Sequence, residues 1–184
     1  CLLSRGLGDV YKRQAESLIA DGCVLISQHA DTTGASTACE KAGVPIVGYN
    51  VSMIATAPTQ ALTSASIDWG PYYTYAVKSV IDGTKIDTDW CKGYDDGADK
   101  ITELNDKAIA KGTKEKVKEV EDAIKDGSLH VFDTSTFTVD GKELDSWKDD
   151  NGNEYIKDGY FHESELHSAP AFAINIDGIE SVEK

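Results

Sequence analysis

The chain of 184 residues has few basic side chains and no long apolar segments. Its 18 lysines and arginines stand against 32 aspartates and glutamates, which gives a formal net charge of −14. Nucleic acids and anionic membrane surfaces are bound through clusters of basic residues, so this balance argues against both kinds of partner. No stretch approaches the roughly 20 apolar residues that a membrane span requires, and we therefore predict no transmembrane segment.

The sequence also lacks the signatures of common metal centres and of several enzyme classes. The cysteines beyond residue 14 form no C-x-x-C pair and have no paired histidines beside them, which argues against a zinc site. No G-x-G-x-x-G, P-loop or G-x-S-x-G segment follows any predicted strand. We therefore expect no metal and no cofactor.

The most informative stretch is Asp21–Met53, which predicts a β-α-β unit. Two short apolar runs rich in β-branched residues, Cys23–Ser27 and Pro45–Tyr49, have the length and composition of buried strands. Between them, small apolar residues recur at three- and four-residue spacing, with Thr32 or Thr33 to cap the helix and a glycine to end it. The pattern predicts two parallel strands joined by a crossover helix.

Polar side chains follow both predicted strands. His29 and Asp31 follow the first strand, and Asn50 and Ser52 follow the second. Ligands of parallel α/β sheets bind beyond the carboxyl ends of the strands, so these four residues are binding candidates. Asp31 has an alternative role as a helix cap, and His29 as an ordinary strand-end histidine. A short amide directly after a buried strand has little packing value, which makes Asn50 the strongest candidate.

The remainder of the chain predicts further strands, helices and turns. These are a strand at Gln60–Ser66, a helix capped by Asp68, a short strand at Ile101–Leu104, a helix at Lys111–Asp126, turns at Asp140–Gly141 and Asp150–Asn153, and a last strand at Phe172–Ile176. One face of the helix after Asp68 is apolar and consists of Tyr73, Val77, Val80 and Ile81. We expect that face to lie in the core.

Four segments, taken together, resemble one protein family. They are QHADTTG at residues 28–34, VGYN at 47–50, LTS at 62–64 and WGPYYT at 69–74, and GSLHVF at 127–132 and VDGK at 139–142 extend the likeness. Their order and spacing resemble the basic-membrane-protein, or PnrA-like, family of substrate-binding lipoproteins of ABC transporters. The resemblance runs from about Ala15 to about Lys142.

This resemblance implies a type I periplasmic-binding-protein fold, an α/β fold in which two lobes of parallel sheet and flanking helices close on a ligand. It implies that residues 15–184 are an incomplete, carboxyl-terminal part of such a protein, with 143–184 beyond the segment that resembles the family. Residues 1–14 differ in composition from the rest and resemble translated sequencing-adapter sequence. We expect them to be a non-native leader, although an initial cysteine is also typical of a mature lipoprotein.

Family members bind purine nucleosides or nucleobases, deliver them to a membrane permease, and are not enzymes. The resemblance therefore implies an extracytoplasmic solute-binding protein whose partners are a purine and ABC permease subunits. Membrane contact is expected only through a lipid anchor absent from this chain. No nucleic acid is expected as a partner.

A purine needs hydrogen-bond partners at its edges and an aromatic surface on its faces. The ligand-binding candidates are His29, Asp31, Asn50 and Ser52 for the edges and Trp69 for a face, with a core position as the alternative for Trp69. Where nucleoside-binding members have acidic residues, this chain has Asn50 and Ser52, and Ile67 stands in place of a lysine. Ribose recognition is therefore less expected, and adenine is the favoured ligand.

Three alternatives compete with this interpretation. One is the effector-binding domain of a transcriptional regulator, which shares the fold, although WGPYYT favours the transporter family. Another is a small-molecule enzyme that uses His29 and Asp31 as an acid/base pair. The absence of a G-x-G-x-x-G, P-loop or G-x-S-x-G segment after any predicted strand argues against it. A surface protein without a ligand is a third possibility.

Overall fold

The computed structural model describes residues 2–162 and 174–179, with side chains from residue 8 onward. These residues fall into two compact units, the first comprising Cys1–Pro71 and Asp96–Glu119 and the second Tyr72–Asp95 and Val120–Lys184. The elements are α1 (Leu2–Ala20), β1 (Ile26–Ser27), α2 (Gly34–Ala42), β2 (Ile46–Tyr49), β3 (Ala61–Ile67), α3 (Gly70–Asp82), β4 (Asp99–Ile101), α4 (Thr113–Lys125), a 3-10 turn (Thr134–Thr136), β5 (Trp147–Lys148), β6 (Glu154–Lys157) and β7 (Tyr160–Phe161).

The first unit is built on a four-stranded sheet with the strand order β1-β2-β3-β4. β1, β2 and β3 are parallel, and β4 pairs with β3 in the antiparallel direction. Helix α2 connects β1 to β2 and packs against α1. The predicted α/β class, with a parallel sheet flanked by helices, is confirmed, and so is the β-α-β unit of residues 21–53.

The core of the first unit lies between the two helices and the sheet. Its buried apolar residues are Ala15, Ile26, Ala35, Ala38, Cys39, Ile46, Met53, Ala57 and Ala61. Most of these side chains are small, so α1 and α2 approach each other and the sheet closely. Burial also raises the pKa of the Cys39 thiol, which therefore packs as a small apolar group.

The ends of the β-α-β elements differ in detail from the prediction. Strand β1 contains only Ile26 and Ser27, because the exposed residues before them do not pair with a neighbouring strand. Thr33 occupies the N-cap position of α2 but makes no capping hydrogen bond. Thr32 caps the helix instead, since its Oγ1 accepts from the first helical amide at 3.2 Å. Gly43 ends α2 in the left-handed conformation, as predicted.

The apolar face of α3 is exposed, so the prediction that this face lies in the core is wrong. The exposed fractions are 61% for Tyr73, 59% for Val77, 71% for Val80 and 77% for Ile81. The helix buries Ser79 instead. Helical periodicity shows which side chains share a face, but it carries no information on whether another surface covers that face.

The second unit contains a small antiparallel sheet of β5, β6 and β7. Tyr155, Ile156 and Phe161 are buried at its centre. The predicted turn at residues 140–141 lies between the paired residues Val139 and Lys142, and the predicted turn at 150–153 joins β5 to β6. Both turns are therefore confirmed.

Other predicted boundaries have mixed outcomes. The strand near residue 101 and the helix near residue 111 are present as β4 and α4. The last predicted strand, at 172–176, lies partly outside the described residues, and its described part is not in a strand. Helix α1 runs through residues 2–14, and the non-native origin of that segment stays a prediction. None of the described helices is both long and apolar enough to cross a membrane.

Candidate functional site

The polar residues predicted to bind a ligand gather where β1, β2 and β3 end. We call this region of the first unit the carboxyl edge, formed by residues 28–31, 50–52 and 66–69. At its centre, the Asn50 side-chain nitrogen donates to Asp31 Oδ1 at 3.1 Å. The parallel pairing of β1 with β2 brings these two residues together from positions 19 apart in the sequence. An ionised carboxylate only accepts hydrogen bonds, so the nitrogen of the amide must be the atom that faces Asp31.

The backbone of Asn50 has an unusual conformation. Its φ angle is 67°, in the left-handed region that few residues other than glycine adopt. The Asn50 amide donates to Ala65 O at 2.6 Å, and the Asn50 carbonyl accepts from the Ser66 hydroxyl at 2.7 Å. Asparagine is among the residues that tolerate this region. Both backbone groups and the side chain of Asn50 are therefore held in place.

Ser52 contacts a residue from a distant part of the chain. Its hydroxyl donates to Glu103 Oε1 at 2.8 Å. Glu103 follows β4, and the antiparallel pairing of β4 with β3 places the chain after Ile101 alongside the middle of β3. The Ser52 hydroxyl therefore donates its hydrogen bond within the protein. Glu103 supplies a carboxylate that the sequence pattern did not indicate.

His29 is exposed and lies against an aromatic neighbour. Its ring meets that of Tyr49 edge to face, with the ring centroids 4.4 Å apart and the planes at 81°. Asp31 instead accepts from Asn50. Because His29 and Asp31 turn to different partners, the arrangement does not support the alternative in which they form an acid/base pair. Tyr49 is a second residue of this region that sequence reasoning missed.

Asp68 forms an ion pair at the end of β3. Its Oδ2 lies 2.8 Å from the Lys100 ammonium, and its Oδ1 accepts from the Gly70 amide at 2.9 Å. The second bond confirms the predicted capping role at the start of α3. The hydrogen bond and charge of Lys100, with the Gly70 amide, hold the pKa of Asp68 below its ordinary value. Asp68 is therefore ionised at neutral pH.

Trp69 follows Asp68 in the loop after β3. It is 55% exposed, so the alternative in which Trp69 is a core residue is not supported. The indole is the largest aromatic surface that the loop after β3 provides. A planar ligand bound at the carboxyl edge would find in Trp69 a face on which to stack.

The charged side chains that form hydrogen bonds with residues of the carboxyl edge are mostly acidic. They are Asp31, Asp68 and Glu103, together with Lys100, whose ammonium already pairs with Asp68. A phosphate group would meet more negative than positive charge here. In the described residues, no group of three or more His, Cys, Asp or Glu side chains is placed to hold a metal ion. The side chains of the carboxyl edge therefore offer hydrogen-bond donors and acceptors to a ligand.

Comparison with known proteins identifies the family of the chain. A family model described as ABC transporter substrate-binding protein PnrA-like matches residues 8–130. The chain belongs to this family. It is 33% identical over 129 residues to a purine-binding protein of Brucella abortus (strain 2308), a match that covers 70% of this chain and 36% of the relative. It is 29% identical over 134 residues to a putative ABC transporter glucose-binding protein of Haloferax volcanii, which covers 72% of this chain and 34% of the relative.

A solved structure of an ABC transporter solute-binding protein from Conexibacter woesei also matches, at 19% identity and a TM-score of 0.48, over 65% of this chain and 41% of that one. The chain spans about a third of the length of the two curated relatives. The family match over residues 8–130 confirms the resemblance, which was drawn over about Ala15 to about Lys142. It favours the transporter over the transcriptional regulator.

PnrA-like proteins are the solute-binding components of ABC transporters and are not enzymes, so the prediction of a non-enzymatic protein is confirmed. The parallel sheet of the first unit, with its flanking helices, is the α/β architecture expected for part of a type I periplasmic-binding fold. The predicted domain boundaries at residues 14 and 143 stay predictions.

Proposed function

We propose that the protein carrying this chain binds a purine base outside the cytoplasm and delivers it to the permease of an ABC importer. Family membership supports the transport role, and the relative from Brucella abortus is itself named as purine-binding. The observation that carries the choice of ligand is the Asn50 amide, held in one orientation beside Asp31. Attachment to the membrane through a lipid anchor belongs to the same proposal.

The fixed amide of Asn50 offers a defined hydrogen-bonding pattern. One of its N–H groups is donated to Asp31, which leaves a second N–H and the carbonyl oxygen for a ligand. Adenine presents a ring nitrogen that accepts next to an amino group that donates, and asparagine pairs with that arrangement through two hydrogen bonds. The free part of the Asn50 amide therefore matches an edge of adenine.

Asp31 adds a preference among the purines. Its Oδ1 lies 3.1 Å from the Asn50 amide nitrogen, beside the N–H that remains for the ligand. When adenine pairs with Asn50, the group on that side of its ring nitrogen is a C–H, which Asp31 tolerates. Guanine or hypoxanthine would pair through O6 and bring its N7 acceptor toward the same carboxylate. Two acceptors facing each other repel, so we expect adenine to bind more tightly than either oxopurine.

The charge balance and Trp69 complete the proposal. The carboxylates of Asp31 and Asp68 disfavour a nucleotide relative to an uncharged base, because the nearby Lys100 ammonium already pairs with Asp68. The exposed indole of Trp69 provides a stacking surface for the purine ring. Of the residues proposed to contact the ligand, Asn50, Asp31 and Trp69 have direct roles, while His29 and Ser52 border the site.

Isothermal titration calorimetry of the full-length natural protein tests this proposal. The ligands are adenine, guanine, hypoxanthine, adenosine, AMP and glucose. We expect saturable heat from adenine, weaker binding of the oxopurines and no binding of AMP. Heat from glucose alone, or from no purine at all, would refute the choice of ligand.

The Asn50→Ala substitution tests the residue that carries the argument. We expect it to weaken adenine binding by about 1–3 kcal/mol, as for a hydrogen-bonding group at a partly buried site. Lys41→Ala is the control, because Lys41 lies in the last turn of α2, at the opposite end of the sheet. Unchanged affinity in Asn50→Ala would remove this residue from the site, and an equal loss in Lys41→Ala would show that the effect is not local.

A further inference from the structure

We propose that Ser66 is a positioning residue, which holds Asn50 in the backbone conformation that presents its amide to a ligand. This inference rests on the proposed function, because it assigns a role relative to the Asn50 amide. Ser66 lies on β3 and is only 9% exposed. Its hydroxyl donates to the Asn50 carbonyl at 2.7 Å, across the pair of strands β2 and β3.

One strand holds both backbone groups of Asn50. The carbonyl of Ala65 accepts from the Asn50 amide, and the hydroxyl of the next residue, Ser66, donates to the Asn50 carbonyl. The first of these bonds extends the parallel ladder, which ends at the pair Tyr49 and Ala65. The second comes from a side chain and is not part of any ladder. The Ser66 hydroxyl is thus the one described side-chain donor to this carbonyl.

The left-handed conformation explains why such a tie matters. At a φ of 67°, Asn50 is in a region that an L-residue occupies at a cost, so an extended or right-handed conformation competes with it. Rotation out of this region would turn the Asn50 side chain away from Asp31. The bond from Ser66 favours the left-handed state and with it the 3.1 Å contact between the Asn50 nitrogen and Asp31 Oδ1. Ser66 therefore acts on a ligand through Asn50 and not by contact.

The same strand provides a matched control. Ser64 is also a buried serine of β3, with an exposed fraction of 0%. Among the described residues, its hydroxyl has no hydrogen-bond partner. Removing the hydroxyl of Ser64 thus changes the same atom type on the same strand without touching Asn50.

The experiment measures adenine affinity by calorimetry in the full-length protein with Ser66→Ala, Ser66→Thr and Ser64→Ala. We expect Ser66→Ala to lose affinity by roughly 3- to 10-fold, the effect of one hydrogen bond. Ser66→Thr keeps the hydroxyl and should restore most of the affinity, and Ser64→Ala should bind like the parent. Thermal melts of each variant show whether the fold is retained.

A double-mutant cycle separates positioning from a general structural role. In an Asn50→Ala background, Ser66→Ala should cause no further loss of affinity, because the group that it positions is gone. An additional loss in that background, or parental affinity in Ser66→Ala alone, would overturn the proposal. A folded Ser66→Thr variant that fails to restore binding would also overturn it.

The backbone of Asn50 provides a readout that does not depend on any ligand. The intraresidue NOE between its amide and α protons in NMR reports the sign of φ, because these protons lie closer together at positive φ; we expect a strong NOE in the parent and a weaker one in Ser66→Ala. If the parent protein binds no purine, the proposed function fails, and this NOE still decides whether Ser66 holds Asn50. An unchanged NOE in Ser66→Ala would refute the positioning role even if purine binding is confirmed.

Discussion

Replacing Asn50 by glycine and by alanine should give two different stabilities, although both changes remove the same side-chain amide. Each variant loses the hydrogen bond between the half-buried Asn50 and the exposed Asp31. What distinguishes them is the backbone, because the φ angle of 67° suits glycine and disfavours alanine. The pair therefore isolates the conformational contribution of this position.

The size of the difference follows from two opposing effects. Alanine in the left-handed region costs roughly 1–2 kcal/mol relative to its preferred conformations. Glycine loses more backbone freedom on folding, which offsets about 0.4–1 kcal/mol of that advantage. The middle values of these two effects, about 1.5 and about 0.7 kcal/mol, lead us to expect that Asn50→Gly is more stable than Asn50→Ala by about 0.8 kcal/mol.

Urea unfolding of both variants, followed by circular dichroism, measures this difference as a shift in the transition midpoint at equal slope. Adenine titrations run in parallel should show weak binding by both variants, because neither has the amide. If Asn50→Ala were as stable as Asn50→Gly or more stable, Asn50 would not occupy the left-handed region, and the geometry proposed for its side chain would be wrong.

Two further substitutions test the sheet and its charges. Gly48→Ala should destabilise the first unit by about 1–3 kcal/mol in urea unfolding, because the added methyl would collide with Ser64 Oγ and lie 2.6 Å from Met53 Cγ; parental stability would contradict this packing. Lys100→Gln should raise the pKa of Asp68 toward its ordinary value of 3.8, as followed by NMR titration of the Asp68 carboxyl carbon. Because the folded-state pKa is lowered, the stabilisation from ionised Asp68 is present above pH 3.8 and is lost as the pH falls through the folded-state value. An unchanged pKa in Lys100→Gln would show that the ion pair does not form in solution.

Local patterns were sufficient to predict the β-α-β unit. Small apolar residues at helical spacing, two β-branched runs and Gly43 at a left-handed helix end are all signals within a few residues, and each corresponds to an observed element. Strand β1 is shorter than its apolar run, since pairing in a sheet depends on the neighbour as well as on the strand itself. At α3, the prediction that the apolar face lies in the core was wrong, because that face is exposed.

Only part of the candidate site could be predicted from the sequence. Asn50 and Asp31 could be named because they directly follow strands, and the parallel pairing of β1 and β2 brings them into contact. Ile67 stands after the LTS segment in place of the lysine of nucleoside-binding family members. Lys100 nevertheless supplies an ammonium close to Ile67, since Lys100 pairs with Ser66 across β3 and β4. Neither the sequence of β3 nor that of β4 contains a pattern that predicts this pairing.

The sequence alone determined the class of the fold, the family and the residues that end the first two strands, because these depend on local periodicity and on motif order. Tertiary structure decided which groups meet: the bond from Ser66 to Asn50, the contact of Ser52 with Glu103, and the pair of Asp68 with Lys100. Each joins segments between 16 and 51 residues apart, and such contacts form only after the strands have paired. The left-handed conformation of Asn50 is likewise maintained by a neighbouring strand rather than by its own sequence.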